Sequence, residues 1–113
     1  MPELPRVLVY EPDRDLAGLF AHALRRGGYA PVRHDEWDAG DAVAAVVMEP
    51  GGPDAATLLA RLRAHAGVPI VCVSNHPREA ELAPAESRAY LLKPFRVGDL
   101  VALLGGLTYD GAR

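Results

Sequence analysis

The side chains best suited to chemistry in this sequence are a set of carboxylates, a lysine and a serine. The carboxylates are Glu11, Asp13 and Glu49, and they are accompanied by Ser74 and Lys93. Carboxylate oxygens are ligands that Mg²⁺ prefers, and a lysine ammonium binds phosphoryl oxygens as a point charge. Phosphoryl transfer to a carboxylate needs a nucleophile, a divalent cation and such a fixed positive charge. These residue types can bind charged groups, provided that the fold brings them together.

Each of these residues lies just after a segment that predicts a β-strand. Short apolar runs without polar alternation are typical of strands that are covered on both faces. The predicted strands are Arg6–Tyr10, a weaker Tyr29–His34, Ala44–Met48, Val68–Val73 and Tyr90–Leu92. Because sites in parallel sheets form at the carboxyl ends of the strands, we expect the chemically active residues to be neighbours.

Amphipathic helices separate the predicted strands. The first has apolar residues at helical spacing over residues 16–24, with Asp13 or Asp15 able to cap its start. Two further helices are predicted, one after Asp54 and one over Val97–Leu104. Strands that alternate with helices predict an α/β fold with a doubly wound parallel sheet and right-handed crossovers.

Two of the connections are too short for full crossover helices. Only residues 35–43 join the second and third predicted strands, whereas a crossover usually needs about a dozen residues or more. We expect one turn or an irregular loop there, packed by Trp37. Pro77 and Pro84 limit the helix before the fifth strand to a short piece around residues 78–83. The second and fourth helices are therefore expected to be shortened.

The composition is that of an ordinary globular domain. The chain has 113 residues, of which 50% are hydrophobic and 24% charged, and its net charge is −3. These values predict one domain over residues 1–113. No basic block indicates nucleic-acid binding, and no apolar run approaches the roughly 20 residues of a membrane span. A single cysteine excludes an internal disulfide. The N-terminus has no signal-peptide pattern, so a cytoplasmic protein is expected.

Three motifs, in order along the chain, resemble those of response-regulator receiver domains from two-component signalling. VLVYEPDRDL resembles their first strand and acidic turn, VPIVCVS their fourth strand, and YLLKPF their fifth strand with its Lys-Pro-Phe signature. The similarity extends over nearly the whole chain. It implies a flavodoxin-like, five-stranded parallel sheet and a single receiver-like domain without an output domain.

The resemblance implies a role for each matching position. Lys93 would pair with a phosphoryl group, and Ser74 and Tyr90 would be the switch residues that respond to it. The Lys93–Pro94 peptide bond would be cis. Each switch position also has a local interpretation: Ser74 can bond to nearby backbone, and Tyr90 can be a half-buried aromatic with its hydroxyl in water.

Two departures from the family affect the acidic site. Receivers place two adjacent acids after the first strand to hold Mg²⁺, whereas here Glu11 is followed by Pro12, which has no side-chain oxygen. Glu11 is therefore expected to be a weak metal ligand, with Asp13 as the second acid of the pocket. At the phosphoacceptor position, where receivers have aspartate, the alignment puts Glu49, although a one-residue register shift at Met48-Glu49-Pro50 stays open.

The longer side chain of Glu49 changes what this site can do. One extra methylene moves the reacting oxygen by about 1 Å, and a misplacement of that size can cost about 10²-fold in rate. We therefore expect no efficient phosphorylation. Glu49 can instead pair with Lys93 and hold one switch state permanently. Two other hypotheses stay open: the pair is a remnant that contributes only about 0–1 kcal/mol, or Glu49 is a working phosphoacceptor.

The other reactive residue types indicate packing or solvent exposure. Cys72 lies in the middle of a predicted strand, where a core position is expected. The four histidines are scattered and predict no metal site; they are His22, His34, His65 and His76.

The sequence thus predicts a signalling module that works by protein–protein interaction and is not an enzyme. The implied partners are a histidine kinase, another regulator, or a second copy bound through the family's fourth-helix, fifth-strand and fifth-helix face. That face would include Arg78, Tyr90, Arg96 and Val101. No cofactor is expected beyond a weakened Mg²⁺ site.

Two alternative functions stay open. One is a phosphorylatable receiver with an unusual acceptor. The other is a small ligand-binding or enzymatic domain on the same flavodoxin-like architecture. The lack of glycine in EPDRD argues against the second alternative, because a nucleotide or flavin would need a phosphate-binding loop there.

Overall fold

A computed structural model of the chain describes residues 3–38, 41–64, 68–76 and 87–111. Strands and helices alternate along these residues, as the sequence predicts. The strands are β1 (Arg6–Tyr10), β2 (Ala30–Arg33), β3 (Ala45–Met48), β4 (Ile70–Ser74) and β5 (Ser87–Leu92). The helices are α1 (Arg14–Arg26), α2 (Ala55–Leu62) and α3 (Val97–Gly111).

The strands form one parallel sheet in the order β2-β1-β3-β4-β5. The chain first adds β2 on one side of β1 and then returns to place β3 on the other side. The carboxyl ends of β1 and β3 therefore flank the point where the strand order reverses, which is the usual site position in such sheets. In the register of this pair, Val9 lies opposite Val47 and Tyr10 opposite Met48. The predicted doubly wound, flavodoxin-like sheet is confirmed.

Apolar side chains cover both faces of the sheet. On one face, Phe20 of α1 and Leu100 of α3 belong to a buried cluster with the side chains that β1, β3 and β4 direct to that face. On the other face, Leu58 of α2 and Trp37 pack with the alternate residues of the same strands. Each fully buried side chain of this size contributes about 1.5–3 kcal/mol to folding. The two clusters explain why the central strands have no polar alternation.

The connection between β2 and β3 has turns but no helix in its described residues, 34–38 and 41–44. Trp37, which is 3% exposed, fills the space. Its indole N–H donates to the carbonyl oxygen of Asp41 at 3.0 Å, and the Arg61 guanidinium lies 4.8 Å from the ring centroid. The irregular loop predicted here is confirmed. The short helix predicted around residues 78–83 lies outside the described residues.

Helix α1 begins at a side-chain cap and ends at a glycine. Asp13 Oδ1 accepts hydrogen bonds from the backbone N–H groups of Asp15 and Leu16 at 3.0 and 3.1 Å, so Asp13 and not Asp15 is the cap. After the helix, Gly28 adopts a φ of +92°, which a side chain would strain. No helix in the described part of the chain has the length and apolarity that crossing a membrane requires.

Candidate functional site

The carboxyl ends of the strands surround an open pocket of about 340 Å³. Glu11, Glu49 and Lys93, which are far apart in the sequence, all line it. The loops after β1, β3 and β4 and the first turn of α1 supply the rest of the lining, namely Pro12, Asp13, Leu16, Gly51, Gly52, Pro53 and Asn75. The fold therefore brings together the acids and the lysine that the sequence singles out.

Within this pocket, Lys93 contacts Glu11. Lys93 Nζ donates to Glu11 Oε1 at 2.5 Å, and Glu11 Oε2 accepts from the backbone N–H of Asp13 at 3.0 Å. The side chains of Lys93 and Glu11 are 11% and 2% exposed. Buried charges are stable when they are paired and hydrogen-bonded. Both oxygens of the Glu11 carboxylate are thus engaged within the protein.

Glu49 lies beside the same ammonium at a longer distance. Glu49 Oε1 is 3.9 Å from Lys93 Nζ, and the Glu49 backbone N–H donates to the carbonyl oxygen of Tyr10 at 3.0 Å. Met48 is in the core, with 1% of its surface exposed. The register is therefore the one that puts the Glu49 carboxylate in the pocket.

The closer partner of Lys93 is Glu11, which the sequence hypothesis did not identify. That hypothesis paired Lys93 with Glu49 alone. A signal was present in the sequence, because Lys93 is its only lysine and two carboxylates follow adjacent strands. The structure places the ammonium within reach of both carboxylates.

The donor set on the β1 side of the pocket is poorly suited to Mg²⁺. Mg²⁺ demands oxygen ligands in nearly ideal octahedral geometry. Both oxygens of Glu11 are engaged, Pro12 has no side-chain oxygen, and Asp13 uses Oδ1 to cap α1. No group of three or more His, Cys, Asp or Glu side chains suited to a metal occurs in the described part of the chain. The ammonium of Lys93 lies beside both Glu11 and Glu49.

The two predicted switch residues both contact the backbone of His76, in the loop after β4. Ser74 is fully buried, and its Oγ accepts from the His76 N–H at 3.2 Å. The Tyr90 hydroxyl donates to the His76 carbonyl oxygen at 2.7 Å. Asn75, and not Ser74, is the residue of this segment that lines the pocket. A switching role for Ser74 and Tyr90 stays a prediction.

Lys93 is oriented by the backbone around it. Its N–H donates to the carbonyl oxygen of Ser74 at 2.7 Å, which extends the β4–β5 ladder to the pocket. The Lys93–Pro94 peptide bond is cis. The end of β5 therefore directs the lysine toward the ends of β1 and β3.

Tyr10 holds the loop after β3, a role that the sequence did not indicate. Its hydroxyl accepts from the backbone N–H of Asp54 at 2.9 Å, and its ring meets the edge of the His34 ring with 4.7 Å between centroids. Burial raises the pKa of the Tyr10 phenol above its ordinary value of 10.0. A tyrosine at the end of an apolar strand is typical of a core residue, so its contact with the loop becomes evident only in the folded structure.

Other candidate residues lie apart from the pocket. Cys72 is buried, with its Sγ 3.3 Å from Ser87 Oγ, and burial raises the pKa of the thiol. His34 Nε2 is 3.8 Å from Asp54 Oδ2 on the surface. Of the predicted partner face, Arg96 is exposed and Val101 packs partly into the core. His65 and Arg78 lie outside the described residues.

Among the comparisons with known proteins, those with solved structures identify the fold, and those with sequences do not. No protein-family model and no curated protein matches the sequence. A solved sensor protein from Polaromonas sp. JS666 is 27% identical, covers 94% of this chain and 97% of its own, and has a TM-score of 0.76. A CheY-like response regulator receiver domain protein from Methanospirillum hungatei JF-1 is 17% identical over 95% of both chains, with a TM-score of 0.82.

A third solved structure contains a metal ion. It is the receiver domain of a sensor histidine kinase from Pseudomonas aeruginosa, with magnesium coordinated in its active site cleft. It is 20% identical, covers 93% of this chain and 98% of its own, and has a TM-score of 0.79. These similarities establish that the chain has the receiver fold.

Proposed function

We propose that this chain is a receiver-fold signalling module whose output does not depend on phosphorylation. The proposal rests on one observation: the ammonium of Lys93 is paired with Glu11 and lies beside Glu49. In the receivers that the sequence resembles, the lysine would instead pair with a phosphoryl group on an aspartate. The receiver domains among the structural neighbours support a role in two-component signalling.

The charge of the pocket opposes phosphorylation. Two carboxylates, Glu11 and Glu49, face one ammonium, and Pro12 replaces the second acid with which ordinary receivers hold the divalent cation that offsets this charge. Stabilisation of charge on the transferred group is the main contribution of proteins to phosphoryl transfer. Glu11 further withdraws Lys93 from this task, because the two form a buried hydrogen-bonded pair.

The proposed output is binding to another protein. A histidine kinase, another regulator or a second copy of the chain fits the fold. The end of β5 and the start of α3 supply an exposed surface for this purpose, with Leu92 45% exposed and Arg96 also exposed. A location in the cytoplasm, where two-component receivers work, is part of the same proposal.

Phosphorylation can be tested directly with beryllofluoride and acetyl phosphate. In ¹⁵N–¹H NMR spectra, Mg²⁺ with beryllofluoride is expected to leave the amides of Glu11, Glu49 and Lys93 unshifted. Intact mass after incubation with acetyl phosphate should show no phosphoryl group. As a positive control, the double variant Pro12→Asp, Glu49→Asp supplies the adjacent acids and the aspartate of ordinary receivers, and should gain both responses.

One competing function has an observation in its favour. Glu49 lines the pocket and lies 3.9 Å from Lys93, as a glutamate acceptor would have to. If the unmodified chain gains a phosphoryl mass that Glu49→Gln abolishes, the chain is a phosphorylatable receiver with a glutamate acceptor, and our proposal is wrong.

A further inference from the structure

A groove of about 540 Å³ runs between α1 and the edge strand β2. On α1 its lining residues are small, namely Ala17, Gly18 and Ala21, and a Cβ added at Gly18 would meet no atom within 4 Å. On β2 the lining includes Pro31 and Val32. This part of the surface is therefore an open groove of mixed polarity, with small side chains along its α1 wall.

Arginine side chains flank the channel. Arg14 and Arg25 line it from α1 and Arg33 lines it from β2. Arg33 pairs with Asp35 at 2.6 Å. In the described parts of the chain, no ion pair or hydrogen bond involves the side chain of Arg14 or Arg25. The groove thus offers two cationic groups for an external partner.

The acids that line the groove do not offset these charges. Glu11 is committed to Lys93 in the neighbouring pocket, and Glu36 lies 3.9 Å from Arg33. The chain as a whole has a net charge of −3. A locally positive channel on a negative molecule selects for acidic partners, because complementary charge steers association and excludes partners of like charge.

The spacing of the arginines matches a helix in the groove. Arg14 and Arg25 are separated by about three turns of α1, which corresponds to roughly 16 Å along one face. Small residues between them let a second helix approach with its axis about 8–10 Å away. An extended strand fits less well, because Pro31 has no N–H to offer at the edge of β2.

We propose that this groove docks an acidic amphipathic helix of a partner protein. Small apolar side chains of that helix would lie against Ala17, Gly18 and Ala21, and its carboxylates would contact Arg14 and Arg25. The surface is separate from the end of β5 and the start of α3. The proposal does not depend on the phosphorylation state of the chain.

The probe for this proposal is a synthetic amphipathic helical peptide of glutamate, alanine and leucine, with glutamates three turns apart on one face. A peptide with lysine in place of glutamate is its control. Titrated into the ¹⁵N-labelled full chain, the acidic peptide is expected to shift the amides of Gly18, Ala21 and Val32, and added salt should weaken the effect. The lysine peptide should leave these amides unshifted.

Charge-reversal variants of the chain identify the contact. The double variant Arg14→Glu, Arg25→Glu should raise the Kd of the acidic peptide about tenfold or more. Arg26 is an exposed arginine outside the groove, so Arg26→Glu should leave the Kd unchanged. All of these side chains are on the surface, and Trp37 fluorescence verifies that each variant is folded.

Three results would overturn the proposal. The first is that the acidic peptide causes no shifts at these amides. The second is that Arg26→Glu weakens binding of the acidic peptide as much as the double variant does. That result would mean that the peptide is attracted to the positive charge of α1 in general and not to the groove. The third is a dimer in sedimentation experiments that the Arg14→Glu, Arg25→Glu variant dissociates, which would make a second copy of the chain the occupant.

Discussion

At the scale of single residues, the pocket is organised by one ammonium between two carboxylates. Lys93 is the only lysine in the sequence, and its Nζ lies 2.5 Å from Glu11 Oε1 and 3.9 Å from Glu49 Oε1. Glu11 is also the more buried of the two acids, with 2% of its side chain exposed against 13% for Glu49. The two carboxylates are therefore expected to contribute unequally to stability.

A double-mutant cycle measures this inequality. Removing one partner of a buried ion pair costs about 3–5 kcal/mol because it leaves the other charge unpaired. We expect Glu11→Gln to lower the free energy of unfolding by an amount near this range and Glu49→Gln to lower it by less, because Glu49 Oε1 lies 3.9 Å from Lys93 Nζ. Combination with Lys93→Met should reveal strong coupling to Glu11 and weak coupling to Glu49 in urea denaturation. Equal coupling would support the sequence hypothesis, in which Glu49 is the charge partner of Lys93.

Alkaline pH should destabilise the chain through Tyr10 and Cys72. Burial raises the pKa of both groups from ordinary values of 10.0 and 9.0. As pH rises through these values, the unfolded chain loses protons that the folded chain keeps, so the free energy of unfolding falls. Urea midpoints at pH 8 to 11 should therefore decline.

The variants Tyr10→Phe and Cys72→Ala separate the two contributions. Each should reduce the slope of the alkaline decline, because each removes one titrating group. At neutral pH, Tyr10→Phe should cost about 1 kcal/mol, since the hydrogen bond from the Asp54 N–H is lost. An unchanged slope in both variants would contradict this explanation.

At the scale of elements, the loop after β3 is held against the end of β1 by a close contact. A Cβ built at Gly52 would lie 2.2 Å from the hydroxyl oxygen of Tyr10, which is 1% exposed. The ring cannot move away without disturbing the core. Glycine is therefore required here by the close approach of the two elements.

Gly52→Ala tests this contact between the loop and the strand. The added methyl group should cost about 1–3 kcal/mol, as is usual when a tightly packed site is overfilled. Gly98→Ala is the matched control, because a Cβ at that position in α3 meets nothing within 4 Å, and it should leave stability unchanged or slightly raised. Similar thermal midpoints for the two variants would show that the loop adjusts freely.

Most elements could be predicted from local pattern, and the contacts between elements could not. The strand–helix order and the irregular loop at Trp37 follow from spacing and connection length. The sequence limits the N-cap of α1 to Asp13 or Asp15, and the structure shows that it is Asp13. The pairing of Lys93 with Glu11 depends on side-chain rotamers at strand ends 82 residues apart. The contact between Tyr10 and Gly52 depends on the path of the loop after β3, which no local sequence pattern specifies.

At the scale of the whole molecule, two apolar clusters share the same central strands. Phe20, Leu24, Leu100 and Leu104 cover one face, and Trp37, Leu58 and Leu62 cover the other. If either cluster is lost, the central strands on which the other cluster packs become exposed. Cooperative unfolding in a single transition is the expected consequence for a domain of this size.

Trp37 is the only tryptophan and reports on one of these layers. Its fluorescence and the far-ultraviolet circular dichroism of the helices should change at the same urea concentration. Coincident transitions would confirm that the layers unfold together. An earlier change in fluorescence would mean that the connection between β2 and β3 melts before the rest.

The ion pair between Glu11 and Lys93 also has a consequence for the lifetime of the folded state. It joins residues 82 positions apart, on strands that are not neighbours in the sheet, so it closes only after β3, β4 and β5 are in place. Contacts that form after the folding transition state leave the folding rate unchanged and slow unfolding. Glu11→Gln should therefore unfold faster than the unmodified chain in stopped-flow experiments while it folds at nearly the same rate, so that this contact lengthens the lifetime of the folded state.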